Sequence, residues 1–587
     1  MPTITLDGTL IEAKEGQTII EAALDAGITI PHFCWHPGLS VAGNCRMCLV
    51  DVGMPARGRD GAIETDDNGD PVIRYMPKLQ IACATPVADG MHVKLVDERV
   101  VEAQEAVMEF LLINHPLDCP ICDEAGQCKL QEYGFRHSTG ESRFVETKNH
   151  KDKRRPLGPN VLFDAERCIS CSRCIRFADE YAEQPHLTFV QRGDHVTIET
   201  FPDKQFDSEY SMNVIEICPV GALTSPDFRF KARVWDMSFN DSICPGCSRG
   251  CNVQVGVRNN EVMRLEPRAN ASVNEYWMCD TGRLTQYKWV NEHRIDRCLV
   301  KTNGAQSEVE WSDAVAAAAK RLAGYKGNQI MVLASAHATN EANYAVKKFA
   351  ADVLGTKNVD YVRHIDGSFG DSKLRRNDRS PNAKGVETLG LKGGGAQALA
   401  EQISSGAIKA LYALEDDVAH WPAELLNACD KLDLLIVHAS NHSALTAKAD
   451  IVFSASTYAE LEGTYTNFAG RVQHVAPVIV TAENERRMGM KMSRLDKFGA
   501  FNDRWTHGER RNCRPSWMPI TQLAKAMGSD FGFKRADQVF GEMAAKVGDF
   551  AAMDYAGLKQ HRGIELGKGA SPEPLRQEYD SHELKPN

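Results

Sequence analysis

Residues 168–174 read "CISCSRC", and this short stretch decides the first part of the fold. Cys168, Cys171 and Cys174 are each separated by two residues, and a C-x2-C-x2-C run of this kind wraps one corner of an iron–sulfur cubane. The fourth ligand is expected to be remote and followed by proline, and "EICPVGAL" supplies such a residue in Cys218. The pattern therefore predicts a single [4Fe–4S] site, since no second complete run of this type follows nearby.

The composition is that of an ordinary globular chain of 587 residues, with 43% hydrophobic and 25% charged residues. That length allows roughly three or four domains. The net charge of −11 gives no reason to expect a nucleic-acid partner. The sequence contains no run of about 18 apolar residues, so no membrane span is predicted. The start "MPTITLDGTLIEAKEG" does not have the pattern of an export signal, and we therefore expect a cytoplasmic protein.

Eighteen cysteines are the unusual feature of this composition, and fifteen of them precede residue 280. Structural disulfides are rare in a reducing compartment, whereas soft thiolates at C-x2-C spacing select zinc or iron–sulfur clusters. The three later cysteines are expected to be buried apolar residues. They are Cys298, Cys429 and Cys513.

The first group of cysteines predicts a [2Fe–2S] site, with zinc as the alternative. Its members are Cys34, Cys45, Cys48 and Cys83. The preceding "TITLDGTLIEA" alternates around an Asp-Gly turn and predicts a hairpin, and "QTIIEAALDAG" predicts a short helix. A hairpin, a helix and a cysteine-bearing loop resemble a β-grasp ferredoxin. His32 and His36 flank the first cysteine and are interpreted as structural, because four thiols already complete the set.

The second group lies in "NHPLDCPICDEAGQCKL", residues 114–130, and contains only three cysteines. His115, Cys119, Cys122 and Cys128 have the spacing H-x3-C-x2-C-x5-C, which zinc would also accept. The position of this group between two other predicted iron–sulfur sites favours a [4Fe–4S] cluster with one imidazole ligand. The alternative is that His115 is only a residue at a helix end, which would leave three cysteines without a fourth ligand.

The fourth group has the spacing C-x2-C-x3-C-x27-C and again predicts a [4Fe–4S] site, with zinc as the rival. Its members are Cys244, Cys247, Cys251 and Cys279.

Residues 290–530 alternate short apolar runs with helical patterns, which predicts a mostly parallel α/β sheet. The runs include "QIMVLAS", "AIKALYAL", "LDLLIVHAS" and "ADIVFSAS". "KGGGAQALAEQISSG" offers G-x-G-x-x-A with Asp416 and Asp417 about twenty residues on, a pattern that superficially suggests a dinucleotide site. Glycines at a helix start have a structural explanation as well, and we do not predict nucleotide binding there.

The four groups, in this order, resemble the large iron–sulfur subunit of NADH-quinone oxidoreductases, the 75 kDa subunit family of respiratory complex I. The resemblance implies an electron-transfer subunit that carries one [2Fe–2S] and three [4Fe–4S] clusters and performs no substrate chemistry itself. Its electrons would come from a flavin- and NADH-binding partner and pass toward quinone. It also implies other complex I subunits as partners and a peripheral position on the inner side of a bacterial cell membrane, with membrane contact only through partners. The long stretch "GMPARGRDGAIETDDNGDPVIRY", residues 53–75 between Cys48 and Cys83, exceeds the usual family spacing and makes Cys83 the least secure ligand.

The fourth group also resembles the first domain of molybdopterin oxidoreductases, and "ATNEANYAVKKFA" and "ELEGTYTNFAGRVQ" are similar to pterin-contacting segments of that family. The segment matching the family's metal ligand is "VDYVRHIDGSFGD", which has no thiol and offers only Ser368. We therefore expect no molybdenum and no pterin. The rival interpretations are an iron–sulfur subunit of an NAD-linked formate dehydrogenase or NAD-reducing hydrogenase, and a zinc-stapled scaffold.

The expected fold is a multidomain α/β and α+β chain with five parts. These are a β-grasp [2Fe–2S] domain at 1–95, a helix with the one-histidine, three-cysteine region at 96–145, a ferredoxin-like [4Fe–4S] domain at 146–236, a molybdopterin-oxidoreductase-type [4Fe–4S] domain at 237–295, and a degenerate molybdopterin-type α/β domain at 296–587.

Overall fold

The structure is a computed structural model that describes residues 1–393, 395–415, 418–488 and 508–569. The chain forms two compact units, which divide between Trp235 and Asp236. Asp416 and Asp417, which follow the glycine-rich helix start, lie outside the described residues.

The first unit begins with a sheet in the order β2-β1-β6-β3-β4, with β5 also paired to β3. Its elements are β1 (Thr3–Leu6), β2 (Thr9–Glu12), α1 (Ile19–Asp25), β3 (Leu49–Pro55), β4 (Ile73–Tyr75), β5 (Gln80–Ile81) and β6 (Met91–Lys94). The predicted hairpin is present, and Asp7 and Gly8 both have positive φ angles at its turn. Strands β1 and β6 are parallel, and α1 is preceded by its N-cap residue Thr18, whose side chain takes part in a capping box.

The insertion between Cys48 and Cys83 is an extension of the same sheet. Strand β3 pairs with β4 at its far end, and the chain between them forms two isolated bridges, Arg57 with Ile63 and Thr65 with Pro71. The chain then returns, and β5 pairs with the start of β3. The Ala82 N–H donates to the Cys48 carbonyl at 2.9 Å, so the excursion ends beside its starting point.

The rest of the first unit consists of helices and short two-residue to four-residue strands. The helices are α2 (Glu98–Ile113), α3 (Lys129–Arg136), α4 (Arg173–Glu180) and α5 (Asn213–Ile217). The strands are β7 (Arg155–Pro156), β8 (Leu162–Phe163), β9 (Leu187–Val190), β10 (Thr197–Thr200) and β11 (Leu223–Thr224). They form a three-stranded sheet β11-β8-β7 and a hairpin of β9 and β10.

The second unit opens with an antiparallel three-stranded sheet and a helix. These elements are β12 (Ser238–Ile243), β13 (Asn252–Arg258), β14 (Glu261–Pro267) and α6 (Asp280–Asn291). Val253, Val255 and Val257 face inward from β13 and are buried with Met278 and Val290.

A seven-stranded sheet in the order β16-β15-β21-β20-β19-β17-β18 forms the centre of the second unit. Its strands are β15 (Cys298–Thr302), β16 (Ala305–Val309), β17 (Ile330–Ala334), β18 (Val359–Tyr361), β19 (Ala410–Ala413), β20 (Leu434–Ala439) and β21 (Ile451–Ser454). The five strands from β17 to β21 are mutually parallel, and β15 joins them antiparallel at one side. The α/β prediction is therefore confirmed for this part of the chain.

Helices cover both faces of this sheet, and each face has its own apolar core. The helices are α7 (Trp311–Leu322), α8 (Asn340–Asp352), α9 (Ala383–Thr388), α10 (Ala396–Ser404), α11 (Ala423–Ala428), α12 (Ala444–Lys448), α13 (Ala482–Met488), α14 (Trp517–Ala526), α15 (Ala536–Lys546) and α16 (Tyr555–Gln560). A small sheet of β22 (Gly463–Thr466), β23 (Arg471–Val475) and β24 (Ile564–Glu565) completes the unit. Cys298, Cys429 and Cys513 are all buried, at 1%, 4% and 0% exposure.

Candidate metal centres

The third group, which comes from "CISCSRC" and "EICPVGAL", surrounds a small cavity in the first unit. The cavity is lined by all four predicted ligands, Cys168, Cys171, Cys174 and Cys218, together with apolar side chains such as Phe163 and Leu223. Ser170 and Ser172 have left-handed backbone conformations, which turn the chain sharply between successive cysteines. Cys174 then lies in the first turn of α4, and Cys218 follows α5 directly.

Burial is the main influence on these four thiols. It raises the pKa of Cys168 to about 11 and raises the pKa values of the other three as well. Thiols with raised pKa values stay protonated at neutral pH unless a metal displaces the proton. A mostly apolar cavity lined by four soft donors fits an iron–sulfur cluster.

The first group brings its four thiols into mutual hydrogen bonding. Hydrogen bonds from Cys45 and then Cys83 lower the pKa of Cys34, and a hydrogen bond from Cys83 lowers the pKa of Cys48. The same contacts raise the pKa values of Cys45 and Cys83. Cys83, the least secure ligand on sequence spacing, thus lies with the other three thiols.

Two neighbouring histidines of the first group are buried, at 5% exposure for His32 and 2% for His36. Burial, with positive charge from Lys129 and Arg173, holds both pKa values well below the usual range. The His32 ring contacts the Ile30 carbonyl at 2.8 Å, and the Gly38 N–H donates to His36 Nδ1 at 3.1 Å. These contacts are consistent with a structural role.

The second group lies in the loop between α2 and α3, where Cys119 is exposed, Cys122 is buried and Cys128 is half-buried. Burial raises the pKa of the Cys122 and Cys128 thiols. Arg233 holds this loop by donating to the carbonyls of Cys119, Pro120 and Cys122. Three of the four predicted ligands thus share one clamped loop.

His115 follows the last turn of α2, one residue after the C-cap Asn114. Burial, with positive charge from Lys148 and Arg167, lowers its pKa to about 4, so the imidazole is neutral at physiological pH. Lys148 donates to the carbonyls of Leu112 and Ile113 and so satisfies the end of the helix that precedes His115. A neutral imidazole is the form that binds metal. The assignment of His115 as a ligand stays a prediction.

The fourth group lies in the second unit, with three cysteines between β12 and β13 and Cys279 at the N-cap of α6. The Gly282 N–H donates to Cys279 Sγ at 3.4 Å. A Cβ on Gly282 would lie 3.1 Å from Cys244 Sγ, so glycine lets the helix start approach both thiols. Burial raises the pKa of Cys244 to about 12 and raises those of Cys247, Cys251 and Cys279.

Hydrogen bonds to the α/β part and to the small sheet of the second unit hold the loop of the fourth group in place. Arg249 donates to the carbonyls of Lys373 and Leu374, and Arg379 donates to the Gly246 carbonyl at 3.0 Å. Gln473 donates to the Gly250 carbonyl at 2.8 Å. The loop is therefore part of the structure of this unit as well as a candidate site.

Across the described ranges, no three histidine, cysteine or acidic side chains lie close enough together to share a single metal ion. The four ligands of a [4Fe–4S] cluster bind four separate iron atoms, and those of a [2Fe–2S] cluster bind in pairs to two, so the ligands of a cluster need not converge on one point.

Buried cations beside the cysteine loops were not predicted from the sequence. Arg167, Arg173 and Lys129 are 3%, 1% and 4% exposed, and each is the chain neighbour of a predicted ligand. The available signal in the sequence was the position of these cations directly beside cysteines in "ERCISCSRC" and "QCKL". Lysine and arginine are almost never fully buried unless they are paired, so burial at these positions indicates interaction with a neighbouring group.

Comparison with known families assigns four segments of the chain to iron–sulfur families. Residues 1–98 match a 2Fe-2S iron-sulfur cluster binding domain, and residues 104–143 match the NADH-ubiquinone oxidoreductase-G iron-sulfur binding region. Residues 158–224 match the ferredoxin-like domain of NADH-quinone oxidoreductase subunit 3. Residues 237–288 match the molybdopterin oxidoreductase Fe4S4 domain, and residues 376–494 match the molybdopterin oxidoreductase family.

Curated relatives carry the corresponding names. The NADH-ubiquinone oxidoreductase 75 kDa subunit of Reclinomonas americana is 41% identical over 314 residues, which are 54% of this chain and 42% of the relative. NADH-quinone oxidoreductase subunit 3 of Thermus thermophilus is 37% identical over 374 residues, 62% of this chain and 47% of the relative. More than half of the chain is therefore similar to subunits that carry these names.

The chain spans about half the length of the curated relatives it matches. Among solved structures, a chain from an NAD+-reducing [NiFe]-hydrogenase in the H2-reduced state is 29% identical, with a TM-score of 0.32, and the match covers 40% of this chain and 91% of that one. The fold class expected from the sequence, with iron–sulfur domains followed by a molybdopterin-type α/β part, is confirmed.

The two segments that resemble pterin-contacting segments form hydrogen bonds with each other. Asn340 at the start of α8 donates to the hydroxyls of Thr464 and Thr466 in β22. Glu341 accepts from the backbone and hydroxyl of Thr464 at 2.9 Å. Ser368, the only hydroxyl considered as a metal ligand, is exposed and donates to Asp366 at 2.7 Å.

Proposed function

We propose that the chain is the electron-transfer subunit of an NADH:quinone oxidoreductase and that it binds one [2Fe–2S] and three [4Fe–4S] clusters. The observation that carries this proposal is the cavity lined by Cys168, Cys171, Cys174 and Cys218, which joins ligands 50 positions apart in the sequence. When bound, such clusters accept and release single electrons, while the protein tunes them through hydrogen bonds, charge and solvent exposure.

The proposed ligands are the four sets predicted from the sequence. They are Cys34, Cys45, Cys48 and Cys83 for the [2Fe–2S] cluster, and His115, Cys119, Cys122 and Cys128, then Cys168, Cys171, Cys174 and Cys218, then Cys244, Cys247, Cys251 and Cys279 for the [4Fe–4S] clusters. No residue is proposed to make or break substrate bonds.

Contacts within the first unit support an order in which the third site lies between the first and the second. Arg176 of α4, two residues after Cys174, donates to the carbonyl of Cys34. On the other side, Cys128 Sγ lies 3.9 Å from the Pro219 carbonyl, directly after Cys218. The proposed path therefore runs from the first site through the third to the second, which differs from the order along the chain.

The proposed partners are a flavin- and NADH-binding subunit and the other subunits of complex I. The relatives are named as subunits of NADH-quinone oxidoreductases, which supports assembly into such a complex. Within the described ranges, no helix combines the length and apolar character needed to cross a membrane. We propose a peripheral position on the cytoplasmic side of a bacterial membrane, with membrane contact through partner subunits.

An iron–sulfur subunit of a formate dehydrogenase or NAD-reducing hydrogenase is the second candidate, since those chains share the cysteine patterns of the front half. Purification through an affinity tag on this chain separates the two. We expect a flavin-bearing NADH-oxidising protein and membrane subunits to co-purify, and molybdenum, tungsten and pterin to be absent. Recovery of a formate-oxidising or hydrogenase subunit, or of stoichiometric molybdenum, would contradict the proposal.

A further inference from the structure

We propose that Arg176, backed by Arg173, is a positioning residue that sets the reduction potentials of the first and third sites together. This inference rests on the proposed cluster content. Both arginines belong to α4, the helix that begins at the third site and carries Cys174.

Arg176 spans from the third site to the loop of the first site. Its two terminal nitrogens donate to the carbonyls of Cys34 and Ser40, and its Nε donates to the Ser172 hydroxyl at 3.2 Å. One guanidinium therefore ties two backbone groups of the first loop to the "CISCSRC" turn. The planar fork of arginine can make these contacts at once, whereas a lysine ammonium is a single point charge.

Arg173 makes a second bridge beside it. This side chain is 1% exposed, and it donates to the Ile217 carbonyl at 2.8 Å and to the Trp35 carbonyl. Ile217 directly precedes Cys218, and Trp35 directly follows Cys34. Arg173 thus contacts a chain neighbour of one predicted ligand in each site, and Arg176 contacts the predicted ligand Cys34 itself.

Charge gives these bridges a role beyond tethering. Arg176 interacts electrostatically with the thiols of both Cys171 and Cys34, and Arg173 also acts on Cys171. A cluster held by four thiolates is anionic and becomes more negative when it gains an electron. Positive charge in a poorly solvated region favours the more negative state, so it raises the reduction potential.

Because one cation faces both sites, its removal lowers both potentials in the same direction. The test is a potentiometric EPR titration of the purified complex with Arg176→Gln, Arg176→Lys and Glu180→Gln in this chain. Glu180 is the matched control, since it also ties α4 to the first loop, accepting from the Ser40 N–H at 2.8 Å, but carries no positive charge.

For Arg176→Gln we expect the ratio of reduced to oxidised cluster at a fixed potential to fall about three- to tenfold at both sites, tenfold being 59 mV for a one-electron couple. Arg176→Lys should keep most of the wild-type value. Glu180→Gln should leave both midpoints unchanged or slightly raised, because it removes negative charge from the exposed end of the same helix.

Glu180→Lys supplies a second test at an exposed position, and it should raise the midpoint of the first site. Unchanged midpoints in Arg176→Gln would overturn the proposal. It would equally be overturned if Arg176→Lys or Glu180→Gln lowered both midpoints as much as Arg176→Gln, because tethering would then explain the effect. A wild-type complex without a [2Fe–2S] signal would contradict the proposed function itself, which is a separate result.

Discussion

His115 is the residue whose role determines the character of the second site. It follows the capped end of α2, is mostly buried and has a pKa lowered to about 4 by burial, so it offers a neutral nitrogen next to a loop with three cysteines. A neutral ligand leaves a cluster less negative than a fourth thiolate does, which should make the cluster easier to reduce.

His115→Cys should therefore lower the midpoint potential of the second cluster, because it adds one negative charge. His115→Ala should weaken or remove the cluster and interrupt transfer toward quinone, while NADH oxidation with an artificial acceptor at the flavin is largely kept. Redox-titrated EPR on both variants is the measurement. An unchanged spectrum and midpoint in His115→Cys would show that His115 only ends a helix.

Gly221 is important because of close packing around it, since glycine has no side chain that could bind a metal. A Cβ at this position would lie 2.2 Å from Cys122 Sγ and 2.9 Å from Glu124 Cβ. The segment after Cys218 therefore packs directly against the second site, and glycine is required for that contact.

Gly221→Ala should displace Cys122 and lower the iron bound at the second site, with a loss of stability of about 1–3 kcal/mol from overpacking. Iron analysis with EPR of the second cluster tests this. Gly134→Ala in α3 is the matched control, since its Cβ would meet only Met108 Cε at 3.9 Å. Equal iron content in the two variants would contradict this packing role.

Among individual residues, cysteine spacing predicted the candidate ligands but not the residues that connect one candidate site to another. The C-x2-C runs can be recognised in the sequence because the geometry of the ligands fixes their spacing within one turn or loop. Arg173, Arg176 and Gly221 have no such signal, since their contacts join residues that are 40 or more positions apart.

Among the elements, the loop of the fourth group shows how a cluster site can also support folding. The segment from Cys244 to Cys279 is 36 residues long, and arginine side chains hold its first loop against the α/β part. Metal binding contributes folding free energy in such loops.

Cys247→Ala should therefore lower the thermal unfolding temperature of the chain and the yield of assembled complex. The rate of quinone reduction per assembled complex should change little. Cys429→Ala is the control, because it removes a buried thiol that belongs to no predicted site. Full assembly with loss of quinone reduction would place the fourth cluster on the electron path and contradict this prediction.

Strand β20 contains a buried histidine that makes the α/β sheet sensitive to acid. His438 contacts the Tyr412 hydroxyl at 2.6 Å and the Ser516 hydroxyl at 3.0 Å, and burial lowers its pKa to about 3. The unfolded chain takes up a proton near pH 6.5 that the folded chain excludes, so this contribution to stability is present above pH 6.5 and is lost as the pH falls toward 3.

His438→Gln should remove this pH dependence. Between pH 6.5 and 5.5 the wild type should lose about 1 kcal/mol more of its free energy of unfolding than the variant does. Denaturant unfolding at the two pH values is the measurement, and His442→Gln, at an exposed position after the same strand, is the control. Identical losses in wild type and His438→Gln would contradict the assignment.

Sequence periodicity predicted the hairpin, α1 and the parallel strands of the second unit, because each is encoded by a local apolar pattern. It did not predict that the insertion after Cys48 forms an extension of the first sheet. That outcome depends on the pairing of β5 with β3, which joins residues about 30 positions apart and returns Cys83 to the first site.

For the whole molecule, the sequence predicts four cluster sites, whose number and kind stay a prediction, and it carries no signal for their spatial order. Arg176, two residues after Cys174, contacts the first predicted site, and Pro219, directly after Cys218, contacts the second. The proposed spatial order of the sites therefore differs from their order along the chain. Only the folded arrangement of α4 and the segment after α5 contains this information.

The four ligand sets are proposed to hold one [2Fe–2S] and three [4Fe–4S] clusters. The most direct measurement is the iron, acid-labile sulfide and zinc content of the purified chain in its complex, with EPR of the same reduced sample. We expect fourteen iron atoms per copy of this chain, after subtraction of the iron of partner subunits, with signals of both cluster types. Stoichiometric zinc, or iron near ten with every cysteine intact, would contradict it.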